Sequence, residues 1–124
     1  MAIRQGSQPR RQSMFLRVSR EIEKVKRQGH RVSTHFFNLL FFRKSDSISQ
    51  VGIIVGRRFG IAVRRNRAKR IFRELVRETY KDLAPGYALL VFPKRDAIVE
   101  PFADLKTAWL GSLRKQRLLE SKPL

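Results

Sequence analysis

Apolar positions along this chain recur with two different periods. Across 61–80, Ala68, Ile71, Phe72, Leu75, Val76 and Thr79 fall on one arc at 100° per residue. Asn66, Lys69, Arg70, Arg73 and Arg77 fall on the opposite arc, and Glu74 and Glu78 run along one edge. The pattern predicts a long helix with a core face and a basic face. A shorter helix is predicted over 19–28, with Ser19 as its cap, Glu21 at the positive end of the dipole and Gly29 as its stop. Ile22 and Val25 give it a narrow apolar face. A last helix starts at Pro101, a favoured first-turn residue, and repeats Phe102, Leu105, Trp109 and Leu113 at helical spacing.

Between the helices lie runs of strand character. Residues 35–43 are rich in Phe and Leu, and 50–56 hold Val51, Ile53, Ile54 and Val55. The Asp- and Ser-containing stretch 44–49 predicts a hairpin between them. Residues 86–93 form a third run, entered through the turn pair Pro85-Gly86. The order helix, strand, strand, helix, strand, helix predicts a small α+β sandwich, with helices on one side of a mixed sheet. Residues 1–13 read as a flexible basic tail, 14–120 as one domain and 121–124 as a C-terminal tail.

A chain of 124 residues, 42% hydrophobic, can bury one modest core. It has no Cys, which excludes disulfides, thiolate-held zinc and thiol catalysis. No run of 18 apolar residues is present, so no membrane span is predicted. Charge changes the picture most. Lys plus Arg number 28 against 10 acids, a net charge of +18, and Arg outnumbers Lys 19 to 9. A pI near 11.7 calls for a polyanionic partner, and guanidinium favours forked phosphate contacts. Residues 1–31 and 57–78 each carry nine basic and two acidic side chains, and they flank an almost neutral stretch. Such self-repulsion is unfavourable without a counter-charge.

The sequence offers no catalytic constellation. Glu74 and Glu78, at i and i+4 beside Arg70, Arg73 and Arg77, read as intrahelical ion pairs rather than metal ligands. His30 and His35 are single and read as surface polar residues. Gly56 and Gly60 are too sparse for a nucleotide fingerprint. No catalytic residue, protein-held metal, cofactor or small-molecule substrate is expected. The informative stretch is 57–70, where a basic loop with Arg57 and Arg58 enters a helix opening with Arg64, Arg65, Asn66, Arg67, Lys69 and Arg70. Helix dipole and side-chain charge add there.

At these residues the sequence resembles the protein subunits of bacterial ribonuclease P. That family carries Ala-Val-x-Arg-Asn-Arg-x-Lys-Arg followed by Arg-Glu. Here the pattern is Ala62-Val63-Arg64-Arg65-Asn66-Arg67-Ala68-Lys69-Arg70, then Arg73-Glu74. The resemblance implies a left-handed βαβ crossover, like a domain of a small-subunit ribosomal protein. It also implies a cytoplasmic bacterial partner for a large catalytic RNA, which with Mg2+ removes the 5′ leader from precursor tRNA. Bond breaking then belongs to the RNA. Arg57, Arg58, Arg64, Arg65, Asn66, Arg67, Lys69, Arg70, Arg73 and Arg77 would face that RNA. A cleft between the first helix and the sheet would hold the leader, with Ile22 and Lys26, where the family commonly presents Phe, and Leu40 as the matching positions; Phe36, Asn38 and Leu40 alternate onto that face, which leaves Phe36 as its aromatic for base stacking. Phe37, Leu39 and Phe41 alternate onto the core face. The competing readings are a ribosomal or RNA-chaperone type of structural RNA-binding protein, and a cationic membrane-surface peptide.

Overall fold

A computed structural model describes residues 14–120. The tails expected over 1–13 and 121–124 lie outside the described residues. The elements are α1 (Ser19–Gln28), β1 (His30–Ser33), β2 (Phe37–Arg43), β3 (Gln50–Ile53), α2 (Ala62–Thr79), β4 (Tyr87–Pro93) and α3 (Phe102–Lys115). Short 3-10 turns occupy Arg57–Phe59, Tyr80–Asp82 and Arg95–Val99. The structure thus adds one strand, β1, to the expected order. His30, Arg31 and Ser33 face solvent and Val32 alone is half-buried, so this edge strand carries almost no apolar signal.

The sheet runs β1-β2-β4-β3. β1 and β2 pair antiparallel from His30↔Phe41 to Ser33↔Asn38. β2 and β4 pair antiparallel from Phe37↔Pro93 to Arg43↔Tyr87. β3 lies parallel to β4, from Gln50↔Ala88 to Ile53↔Val91. The hairpin expected across 44–49 does not form, because β4 inserts between β2 and β3. Ser49 explains where that loop goes instead. Its buried hydroxyl donates to Ala84 O at 2.6 Å and accepts Tyr87 N–H at 3.0 Å, which pins the loop to the turn before β4. The Tyr80 hydroxyl donates to Ser49 O at 2.6 Å, and burial raises its pKa. Within the loop, Asp46 Oδ1 accepts Ile48 N–H at 2.9 Å, a bond that holds the carboxyl below its ordinary pKa.

β4 is the central strand. Leu89, Leu90 and Val91 are fully buried, so consecutive side chains meet protein on both faces of the sheet. On one face Phe37, Leu39, Val51, Leu89 and Val91 meet Phe72, Leu75 and Val76 of α2 and Leu105, Trp109 and Leu113 of α3. The Phe37 ring meets Trp109 edge-on at 5.4 Å and Phe72 at 6.2 Å. Trp109 Nε1–H donates to Thr79 Oγ1 at 2.9 Å, and Thr79 Oγ1–H donates to Leu75 O at 2.9 Å. The Trp109 and Thr79 polar groups are therefore paired with each other and with the helix backbone.

Helices on one side describes α2 and α3. α1 lies on the opposite face, because its Val25 and Ile22 pack with Leu16, Leu40, Phe42, Ala88, Leu90 and Phe92. Ser19 is the first residue of α1 rather than its cap; Val18 holds that position and no side chain caps the end. Gly29 stops the helix as expected, donating its N–H to Val25 O at 2.7 Å.

Phe72→Ala should cost about 3–5 kcal/mol as a core truncation, read by chemical denaturation. Thr79→Val should cost about 1–3 kcal/mol in the same assay, by stranding the buried indole N–H.

Candidate nucleic-acid interface

After β3 the chain must turn before it can enter α2. Phe59, 8% exposed, plugs this turn into the protein. Gly60 then adopts φ 150° and ψ −162°, a combination only glycine holds without strain. Three further bonds fix the loop. Arg95 donates from Nε to Phe59 O at 3.0 Å and from Nη2 to Arg58 O at 2.7 Å, and Arg65 Nη1 donates to Gly60 O at 2.8 Å. Sequence reasoning missed Arg95, since nothing in 93–96 signals that it reaches across to residues 58 and 59. It also gave Arg65 to the partner alone, whereas this half-buried guanidinium already holds its own loop.

With its carbonyls tied down, the loop leaves Arg57 and Arg58 exposed. Arg64, Asn66, Arg67, Arg70, Arg73 and Arg77 of α2 are also exposed, and Lys69 is half-buried. The periodicity of α2 thus puts its apolar arc in the core and its cationic arc in solvent. Arg77 is partly engaged, with Nη1 3.6 Å from Glu74 and its guanidinium 5.9 Å from the Phe15 ring. Glu78 does not pair within α2. It reaches Lys106 Nζ on α3 at 2.9 Å and ties the two helices together. No side chain caps the start of α2, so its first-turn N–H groups add their dipole to the arginines. Beside this first turn opens a cavity of about 890 Å³ between α2 and the 95–101 segment.

On the α1 face, Ile22 and Leu40 meet in one apolar cluster. Asn38 Oδ1 accepts Ser33 Oγ–H at 2.7 Å, and Lys26 is exposed with Nζ 3.7 Å from Glu23. Phe36 is not on this face; it packs against the large core. The reason is local. Thr34 Oγ1 accepts the Phe36 and Phe37 N–H groups at 3.2 and 3.0 Å and donates to Phe37 O at 2.8 Å. That turn precedes β2, so Phe36 lies outside the pleat and escapes its alternation. The aromatics that do share the face of Leu40 are Phe42 and Phe92. Alternation carried two residues beyond Leu40 finds Phe42. Lys24 Nζ sits 5.2 Å from the Phe42 ring, beside a groove of about 410 Å³ that Glu21 and Lys44 also line.

The histidines take part in local contacts. His35 Nε2 lies 3.4 Å from Asp96, and the His30 ring tilts against Phe41 at 5.1 Å. Among the described residues no three His, Asp or Glu side chains converge to hold a metal ion. Among them, too, no helix is long and apolar enough to cross a membrane.

Comparison with known proteins places this geometry. The family model described as Ribonuclease P matches residues 11–117. A ribonuclease P protein component from Chloroflexus aggregans is 33% identical over 118 residues, covering 92% of this chain and 87% of the relative. The one from Thermotoga petrophila is 32% identical over 80 residues, 64% of this chain and 68% of the relative. Among solved structures, the RNase P protein from Thermotoga maritima superposes with a TM-score of 0.73 at 28% identity, over 82% of this chain and 96% of that one. The Staphylococcus aureus RNase P protein gives 0.74 at 18% identity, over 86% and 98%, a likeness of fold.

Gly60→Ala should lose about 1–3 kcal/mol of stability, because alanine is strained in that conformation. Arg70→Ala, on the exposed arc, should stay within about 0.5 kcal/mol of the parent. Parallel thermal melts of the two variants check both.

Proposed function

This chain belongs to the ribonuclease P protein family, and from that premise we propose that it is the protein subunit of a bacterial ribonuclease P, at work in the cytoplasm. Its partner is the catalytic RNA, and the joint reaction is removal of the 5′ leader from precursor tRNA. The observation that carries this reading is the cationic surface formed by Arg57, Arg58 and the exposed arc of α2. Folded RNA concentrates phosphate, and each guanidinium docked on it releases counterions and offsets repulsion between strands. The start of α2 contributes in the same sense, since its dipole favours an anion. The leader lies along the face shared by Ile22, Asn38 and Leu40, with Lys26 at its side. Phe42 and Phe92, on that face, replace Phe36 as platforms for stacked bases, a contact worth roughly 1–3 kcal/mol per base.

Bond breaking is assigned to the RNA. We assign the Mg2+ to the RNA as well. The protein acts on metal use indirectly. Phosphates already neutralised by arginine need fewer Mg2+ ions to hold the RNA in its active form.

The test is reconstitution with a bacterial ribonuclease P RNA at low magnesium, following precursor tRNA cleavage. The protein should stimulate cleavage over RNA alone; an absence of stimulation would favour a structural RNA-binding protein of ribosomal type. Affinity for that RNA should fall steeply with salt. For about 6–9 neutralised phosphates the log–log slope should lie roughly between −4 and −8. Arg70→Ala should weaken binding and make the slope shallower by about 1.

A further inference from the structure

Five large apolar side chains are exposed among the described residues, and three of them, Ile61, Val63 and Val99, line the same cavity beside the start of α2. They are 67%, 71% and 76% exposed. A purely electrostatic surface has no use for them, and leaving them in water is unfavourable. Two of the chain's acids, Asp96 and Glu100, also line this cavity, although it opens in a strongly basic region. A carboxylate there repels phosphate. It accepts hydrogen bonds from the exocyclic amino groups on base edges.

We propose that this cavity holds an unstacked base of an RNA strand, seated on Ile61, Val63 and Val99 and read at its amino edge by Glu100, while Arg64 and Arg67 take the flanking phosphates. The proposal deepens the function given above and rests on it only for which RNA supplies the base. Apolar seat, acidic wall and cationic rim match the three parts of a nucleotide strand: π-face, amino edge and phosphate. The volume, about 890 Å³, is within the usual range for ligand sites. A second cavity of about 380 Å³ shares Val63 and Arg67 and continues along α2 to Arg70 and Ile71, which gives the strand an onward path. The walls are held in place beforehand. Arg95 locks the 58–59 backbone, Ala97 is buried with its N–H on Lys94 O at 3.0 Å, and His35 lies 3.4 Å from Asp96. Glu100 is therefore the carboxylate assigned to the base.

The test uses the full chain and labelled twelve-nucleotide RNAs, read by fluorescence anisotropy: oligo(rC), oligo(rA), oligo(rU) and an abasic ribose-phosphate strand. Oligo(rC) and oligo(rA), which carry amino groups, should bind about tenfold more tightly than oligo(rU), and the abasic strand should bind weakest. Glu100→Ala should erase the preference for rC over rU. Val99→Ser should weaken all base-bearing strands about fivefold without affecting the abasic one. Neither change should alter the salt slope, whereas Arg67→Ala should make it shallower by about 1. Melting temperatures within a few degrees of the parent confirm that the variants fold. Equal affinity for rC and abasic strands overturns the proposal. So does uniform tightening of every strand by Glu100→Ala, which would make Glu100 a repelling charge only. Self-association that Val99→Ser abolishes, with RNA binding intact, would assign the cavity to a second copy and also overturn it. No arm uses a ribozyme, so a failed reconstitution and a failed base pocket give different results.

Discussion

The parallel pairing of β3 with β4 is the constraint on which the rest of this molecule depends. Two adjacent parallel strands cannot be joined by a tight turn, so the chain must leave the sheet, cross it and return. α2 is that crossing. Phe72, Leu75 and Val76 clamp it to the sheet, and the opposite arc is then committed to solvent. Concentrating arginine on the crossing helix gives the protein a cationic surface whose backing is fully buried core.

That arrangement carries an electrostatic load, and the structure shows how part of it is absorbed. The loop before α2 holds two consecutive arginines, yet it is secured by two further arginines, Arg65 and Arg95, acting through backbone carbonyls. Carbonyl dipoles satisfy guanidinium donors without consuming an acid. The chain's few carboxylates are thereby left for other contacts. Glu78 bridges α2 to α3 through Lys106, and Asp46 orders the loop before β3.

Much of the architecture was legible in the residues. The 3.6 period from Ala68 to Thr79 identifies the buried side of α2, and Leu105, Trp109 and Leu113 do the same for α3. The apolar run of 87–93 identifies a strand, which the structure covers on both faces. What escaped has physical causes. β1 is an edge strand whose pairing is carried by backbone groups, so its side chains leave no pattern. The partners of β3 were misread because hydrogen bonds from Ser49 and Tyr80, more than thirty residues from their partners in sequence, decide where the loop after β2 docks. In the candidate site, the basic residues are visible from spacing alone. Phe36 was misplaced by the Thr34 turn, and the cavity beside α2 was missed because Val63, which falls off the core arc, reads in isolation as an ordinary surface valine.

The position of β4 at the centre of the sheet has a consequence for biosynthesis. On the ribosome, β2 and β3 emerge long before the strand that must lie between them. The β1–β2 pair can close early, since its partners are neighbours in sequence. The sheet itself stays open until residue 93 has cleared the exit tunnel, and for that interval two unpaired strand edges and the apolar side of α2 are offered to solvent together. A nascent chain this cationic, emerging from a machine built largely of RNA, meets phosphate before it meets its own last strand.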